Sequence, residues 1–493
     1  MSIFKQRTIP RRAFLHGTLG ATLAALGLRS AAGAQPTTGS PSGTTTSGPP
    51  TVPGTPGPGR VLPVECPDVK KLPFEVVNGV KVFRLVAELV KQEVNPGRVF
   101  DLWGYNGSAP GPTIEVMEGD RVRILFENRL PEPTTVHWHG LEVPIEMDGV
   151  PAISQPEVAP GGTFTYEFTL HQHGTFFYHS HGAMQEMMGM LGLFIIHPRE
   201  AYAPAVDKDF GIVLQEYAVL PNNTIPNSLG MEFNWLTFNG KAGPAVTPMI
   251  VKLGERVRIR IVNIGMDHHP IHLHGFQFEV TGTEGGRIPN ALWYPENTVL
   301  VGVAQARTIE FNAKFPGDWM LHCHLPHHMM NQMVSMVGPI AHAGHGVGTG
   351  GGMEEGMGMV RKGHALSEDL APKFGRGMGM AAAERPSTNA IGPAAQAGGH
   401  AGHAPSGSPP PSPKRVPGFP QDMFMPMDDE VAKPETYGMA KNWTGAMQGM
   451  MTVVRVLPPD KYDEIMHRIQ DAKSKPLAKP TPAIPTSAPG HRH

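Results

Sequence analysis

Cysteine is nearly absent from this chain: its 493 residues include two, Cys66 and Cys323. Two thiols can close at most one intramolecular bridge, so a secreted disulfide scaffold is excluded, and a conspicuous cysteine must be explained by reactivity or metal binding. A surplus of charge is missing as well. With 41 Lys and Arg against 43 Asp and Glu the formal net charge is -2, which lacks the basic footprint of a nucleic-acid binder. The apolar run from Leu19 to Leu28 covers about ten residues, short of the ~20 that span a bilayer, so no permanent membrane anchor is expected. No long helical period occurs before residue 345. What is present is 59 Gly and 51 Pro, which demand loops, and an unusual 24 His and 28 Met. Imidazole and thioether are copper ligands, sulfur favouring Cu(I), so composition alone raises a copper hypothesis; the bland reading is that Met fills cores.

The N-terminus reads as an export signal. Arg11-Arg12-Ala13-Phe14-Leu15 precedes the apolar run, and Ala32-Gly33-Ala34 offers a small-residue cleavage site, the pattern of twin-arginine export to the periplasm or another extracytoplasmic space. Residues 1–34 form this signal and 35–71 a flexible lead-in, rich in Pro, Gly, Ser and Thr over Gln35 to Arg60.

From Leu72 onward, short segments rich in Val, Ile, Phe and Thr alternate with Gly, Pro and Asn, a β-sandwich rhythm that fills 72–200 and returns in 205–340. The two stretches are copies. Gly119-Asp120-Arg121-Val122-Arg123-Ile124 recurs 135 residues later as Gly254-Glu255-Arg256-Val257-Arg258-Ile259, and the same offset carries His137-Trp138-His139-Gly140 onto His272-Leu273-His274-Gly275. An offset of 143 carries His179-Ser180-His181 onto His322-Cys323-His324. On an extended segment residues i and i+2 share a side, so each His-x-His pair presents two imidazoles to one point. One such pair is weak evidence, whereas four in duplicated register indicate metal ligation. His171-Gln172-His173 has the spacing but no copy in the second stretch, and is assigned no metal role.

The second repeat adds His269, Cys323, His328 and Met333: two imidazoles, a thiolate and a thioether, the set of a blue-copper electron-transfer site. Because Cys323 lies between His322 and His324, its thiolate points away from the two imidazoles, and one tripeptide joins the two kinds of site.

At these residues the chain resembles the multicopper oxidases over about residues 72–340. The resemblance implies an all-β fold of two tandem cupredoxin-like Greek-key β-sandwiches and four coppers (one type 1, one type 2, two type 3). It also implies four-electron reduction of O2 to water at the expense of a small reducing substrate. By the same matching His137 and His272 hold the type 2 copper. His139, His179 and His324 hold one type 3 copper, and His181, His274 and His322 the other. His269, Cys323, His328 and Met333 hold type 1, where electrons enter through an exposed edge of His269 or His328. Only 88 residues separate His181 from His269, leaving no room for a middle domain, so the chain looks like a two-domain oxidase. Such proteins close head to tail as homotrimers with ligands from neighbouring subunits at each cluster. Copper nitrite reductases are similar trimers but lack the four His-x-His pairs.

The stretch from His137 to Pro144 followed by Asp148-Gly149 looks especially like bacterial copper efflux and copper-resistance oxidases, and Asp148 matches their proton-relay aspartate; the alternative is a turn residue ahead of Gly149. Those oxidases carry a glutamate after the second type 1 histidine, where this chain has Met329. Cu(I), phenols, Fe(II) and Mn(II) are all candidate reductants, Cu(I) in copper tolerance being favoured. A metal-buffering protein without catalysis is the non-enzyme reading.

Residues 341–440 change character to a Gly-, Pro-, His- and Met-rich insertion expected to be largely disordered. There Met353, Met357, Met359, Met378, Met380, Met423, Met425 and Met427 find no core and suit transient Cu(I) binding. Gly445-Ala446-Met447-Gln448-Gly449-Met450-Met451 nearly repeats Gly182-Ala183-Met184-Gln185-Glu186-Met187-Met188. That places a returning strand of the second sandwich within 441–458, and a short helix and a disordered tail in 459–493. Met187, Met188, Met190, Met336, Met450 and Met451 suit packing. Cys66 reads as a free or buried structural thiol.

Overall fold

A computed structural model describes residues 61–219, 223–228, 233–329, 331 and 427–474. The export signal, residues 35–60, Met333, Met336, the Met-rich stretch up to Met425 and the tail from residue 475 lie outside the described residues.

The first sandwich has nine strands: β1 (Phe74–Val77), β2 (Val80–Asn95), β3 (Arg98–Tyr105), β4 (Gly111–Met117), β5 (Arg121–Asn128), β6 (Val136–His139), β7 (Thr163–Thr169), β8 (Gly174–Ser180) and β9 (Leu191–His197). One sheet runs β1-β2-β5-β7 with β3 on β2, and the other runs β4-β9-β8-β6. Helix α1 (Ala183–Met187) links β8 to β9. In β5 the apolar residues Val122, Ile124 and Phe126 alternate with Arg121, Arg123 and Leu125, so one face enters the core and the other faces outward. Trp138 is the centre of that core, fully buried against Tyr166, Phe168, Tyr178 and Phe194 at ring separations of 5.1 to 6.1 Å.

The second sandwich repeats the plan with β10 (Lys208–Tyr217), β11 (Trp235–Phe238), β12 (Met249–Lys252), β13 (Arg256–Asn263), β14 (His269–Leu273), β15 (Phe278–Thr283), β16 (Gly286–Arg287), β17 (Tyr294–Glu296), β18 (Thr298–Val301), β19 (Gln305–Asn312), β20 (Gly317–Cys323) and β21 (Met451–Leu457). Its sheets run β11-β10-β13-β19-β15-β16, with β17 on β15, and β12-β21-β20-β14-β18. Strand β21 lies parallel to β12 and antiparallel to β20, as β9 lies parallel to β4 and antiparallel to β8. Helix α2 (Pro459–Ser474) then packs Ile465, Tyr462, Met466 and Ile469 on Ile250 and Leu457.

The sandwiches share two apolar clusters. Val64, Phe177, Leu191, Leu193 and Ile195 meet Val213, Val262, Ile264 and Ala306, while Val94, Phe100, Leu102 and Ala109 meet Tyr217, Val219, Trp235 and Ala242. The outer face of β13 is therefore covered where that of β5 is open. Arg258 and Glu310, 7% and 0% exposed, form a buried pair joined by Arg256 and Arg287, and Asp209 accepts from Arg258 and Arg260. Their duplicates Arg123 and Glu167 pair at the surface, 36% and 21% exposed. Burial by itself would raise Glu310, but the guanidiniums of Arg258 and Arg287 outweigh it and hold the carboxyl below its ordinary range.

Two expectations need correction. Residues 61–71 are no flexible lead-in: Glu65 pairs with Asp209 and Gly211 through main-chain hydrogen bonds of 2.8 and 2.9 Å, and Val64 is fully buried between the sandwiches. Residues 427–440 are likewise built into the fold. Val431 is buried, Lys433 Nζ donates to the Ala245 carbonyl (2.9 Å), and Arg455 donates to the carbonyls of Glu435 and Tyr437. A single apolar side chain and a few main-chain bonds tie down sequence whose composition reads as loop.

Candidate metal centres

The strand ladder places the histidines. In β6 and β8 His137 lies opposite His179, and in β14 and β20 His272 lies opposite His322. Alternation puts His137 and His139 on one side and Trp138 in the core. The first set converges, with His137 ring centroids 5.6, 5.3 and 5.5 Å from those of His139, His179 and His181. The second set mirrors it, with His272 at 4.8, 5.6 and 5.4 Å from His274, His322 and His324. Among the described residues no hydrogen bond or ring contact joins one set to the other.

Main-chain carbonyls choose the tautomers. His137 Nδ1–H donates to the Asp148 carbonyl (2.7 Å), His272 to that of Asn297 (2.6 Å), His179 to that of Ser180 (2.8 Å) and His322 to that of Cys323 (2.8 Å). A carbonyl only accepts, so these four rings carry the proton on Nδ1 and leave Nε2 free for a metal. Burial and the neighbouring imidazoles push His139 down to about 4. Burial also lowers His137, His274 and His322, keeping the rings neutral as ligation requires. His139 Nδ1 lies 3.4 Å from His179 Nε2, and His274 Nε2 lies 3.0 Å from His322 Nε2.

Asp148 closes a single helical turn (Ile145–Met147) and its carboxylate lies 3.4 Å from His137 Nδ1. Gly149 beside it has φ +85°, and a Cβ there would sit 1.8 Å from the Val136 carbonyl oxygen. The Asp-Gly pair is thus a required turn and also a neighbour of a cluster histidine.

Behind the second set lies a separate triad. His269 Nδ1 and His328 Nδ1 are 3.2 Å apart, and each is within 3.7 Å of Cys323 Sγ. All three residues are buried, and Cys323 faces the core opposite Ile271. Burial first, then the charges of Glu216 and Asp267, push the thiol up to about 12, so a thiolate here calls for a cation. Three soft or borderline donors converging in a closed site fit copper. Met333, the expected fourth ligand, lies outside the described residues.

Neither histidine has the exposed edge anticipated for electron transfer: His269 is 0% and His328 1% exposed. Glu216, itself fully buried, accepts from His269 Nε2 at 3.1 Å and from the Asp267 main-chain N–H at 2.9 Å. Asp267, 41% exposed, lies 3.6 Å from His328 Nε2. These carboxylates fix the rings with Nδ1 toward the sulfur. Glu186 of α1 similarly lies 3.2 Å from His179 Nδ1. Sequence reading missed all three. Asp267 stands two residues before His269, a usable signal, but Glu216 is 53 residues away and only the β10–β13 pairing brings it near. His171 and His173 stay outside both sets, and His173 Nδ1 bonds the Tyr202 hydroxyl (2.7 Å). Cys66 is unbridged, and the Thr113 hydroxyl donates to its sulfur at 3.3 Å.

Paired cupredoxin-type sandwiches, one carrying a buried N2S triad and each carrying a four-histidine face, define a copper-binding redox class. Two family models, both described as multicopper oxidase, match residues 89–201 and 220–338, and the chain belongs to the multicopper oxidase family. It is 37% identical over 134 residues to copper resistance protein A of Escherichia coli, covering 27% of this chain and 22% of that protein. It is 30% identical over 246 residues to a multicopper oxidase of Mycobacterium tuberculosis, covering 42% and 47%. Among solved structures, the blue copper oxidase of Nitrosomonas europaea is 32% identical, with 51% of this chain and 81% of that chain covered and a TM-score of 0.47. The chain spans about a fifth of the length of the copper resistance relatives it matches.

Proposed function

We propose that this protein couples four one-electron oxidations of a reducing substrate to the reduction of O2, with four protons, to two waters, and that Cu(I) is among its substrates. The observation that carries the reading is the joining of two donor sets by one tripeptide: Cys323 lies in the closed N2S triad while His322 and His324 lie in a four-histidine face. Copper held by His269, Cys323, His328 and Met333 would supply one-electron transfer, and copper held by the eight His-x-His ligands would supply O2 binding and reduction.

The chain's own residues do the rest. Carbonyls and carboxylates hold the imidazoles in their ligating tautomers, and the apolar core keeps water from the triad. Asp148, beside His137, holds a proton acceptor and donor at the edge of the first face. Both faces supply ligands to every cluster copper in this reading: His137 needs His272, His139 and His179 need His324, and His274 and His322 need His181. That no hydrogen bond or ring contact joins the two faces among the described residues supports a homotrimer in which the first face of one subunit meets the second face of the next. Export through the Arg11-Arg12 signal to the periplasm belongs to the same reading. Among the described residues no helix is long and apolar enough to cross a membrane.

The test is steady-state O2 uptake by copper-loaded protein with Cu(I) and with a simple phenol. Uptake with Cu(I) supports the proposal, brisk phenol turnover without Cu(I) oxidation replaces it with a phenol-oxidising laccase, and no uptake with any reductant leaves a copper-buffering protein.

A further inference from the structure

Outside the metal centres, a cavity of about 220 Å3 lies where the β2–β3 hairpin of the first sandwich meets β11 and the returning segment before β21. Asn95, Arg98, Trp235, Asn331, Met447 and Gln448 are among the residues that line it. The oxidase chemistry uses none of them. The cavity is next to the triad nonetheless: Asn331 Oδ1 accepts from the Gly449 N–H (3.0 Å), and the following Met450 N–H donates to the His328 carbonyl (2.9 Å).

Three features of the lining are left over after the fold is accounted for. Arg98 has no carboxylate partner among the described residues; its guanidinium stands 5.6 Å from the Trp235 ring and makes no ion pair. Asn95 is 7% exposed, and its Oδ1 is buried without a hydrogen-bond partner. Trp235, 5% exposed, is held edge-on by Phe100 at 5.3 Å and 84°, a rigid aromatic wall, with the thioether of buried Met447 lining the same space.

Each leftover selects for something. An unpaired guanidinium is a planar fork matched to a carboxylate. Indole and thioether favour an aromatic ring. A buried amide oxygen without a partner costs free energy until an O–H or N–H reaches it. The volume falls below the ~300–1,000 Å3 of pockets for drug-sized ligands, which restricts the occupant to one ring with short substituents.

We propose that this cavity binds a single-ring aromatic carboxylate carrying a ring hydroxyl, its carboxylate on Arg98, its ring against Trp235 and Met447, and its hydroxyl donating to Asn95 Oδ1. The site does not depend on the oxidase reading, because it requires neither copper nor turnover.

The experiment is calorimetric titration of the copper-loaded full chain, under argon, with 4-hydroxybenzoate, its neutral isostere 4-hydroxybenzamide, and benzoate. Saturable binding of one 4-hydroxybenzoate per chain is expected, with the benzamide weaker by about tenfold or more because it cannot form the charge-assisted fork. Arg98→Met should abolish the preference for the acid, and Arg98→Lys, which keeps the charge without the fork, should retain part of it. Asn95→Ala should weaken 4-hydroxybenzoate while leaving benzoate unchanged. No binding at millimolar ligand, equal binding of acid and amide, or unaltered affinity in a folded Arg98→Met chain would overturn the proposal. Should Arg98→Met fail to fold, the acid-to-amide ratio on the unmodified chain and the Arg98→Lys titration still decide it.

Discussion

The slot that holds His269, Cys323 and His328 in the second sandwich is occupied in the first by Thr134, Ser180 and Gln185, at the same offsets of 135 and 143 that relate the histidine pairs. All six residues are buried. In the first sandwich the Thr134 and Ser180 hydroxyls lie 3.1 Å apart and Ser180 donates to Gln185 Oε1 at 2.8 Å, a triad that satisfies itself. In the second, two imidazole nitrogens and a sulfur converge within 3.7 Å of one another. One scaffold position thus carries either a closed hydrogen-bond network or a set of donors suited to a metal, and the side chains alone decide which. The outer shell differs in step: Glu216 stands behind His269, whereas its ladder equivalent Leu89 is 62% exposed.

The sharpest break of this comparison is Cys323→Ser, which makes the second triad resemble the first. Loss of the intense blue thiolate-to-copper absorption and of all oxidase activity is expected, with His322 and His324 still able to load their site. A surviving thiolate band would contradict the assignment.

Next in size is the duplicated Arg-Glu pair. Glu310→Gln leaves buried guanidiniums uncompensated and should cost about 3–5 kcal/mol in chemical denaturation, while Glu167→Gln, at the surface, should leave the unfolding midpoint almost unmoved. The pH sign follows from the depressed Glu310 value. Its contribution is complete above the ordinary glutamate pKa of about 4.3 and is lost as pH falls through the lower folded value, so Glu310→Gln should flatten that acid limb.

Asp148→Asn should slow reoxidation by O2 about a hundredfold, at the lower end of general acid–base effects, and spare reduction of the blue site. Equal loss in stopped-flow measurements of both half-reactions would assign Asp148 to the turn alone. The smallest effect expected is from Glu216→Gln, about tenfold weaker copper retention at the triad, against none for Leu89→Ala; competition with a chelator measures both.

Much of the arrangement was legible because the duplication supplies its own control. The offset of 135 aligns Asn128 with Asn263, and the two amides make the same bonds: each Nδ2 donates to two carbonyls, Glu132 and Val158 in one copy, Asp267 and Val301 in the other. The near-repeat of Met187-Met188 at Met450-Met451 pointed to a strand after the insertion, and β21 begins at Met451. What escaped has no such copy. Glu216 reaches His269 only through sheet pairing, and Val64 finds its cluster only once both sandwiches have formed. The triad histidines were expected to show an edge to solvent, yet the carboxylates that cover them come from loop and strand ends whose sequences resemble any acidic surface.

In the proposed ring each chain carries two half-sites, completed between subunits. The most direct measurement mixes two inactive variants, one lacking His137 and His139 and the other lacking His322 and His324, by co-refolding with copper, and reads O2 uptake. In a head-to-tail ring, random assembly leaves about a quarter of the junctions with two intact faces, so activity should return in the mixture from parents that have none. Mixtures that never recover activity, together with a fully active monomer by size measurement, would place the cluster within one chain and rule out the ring.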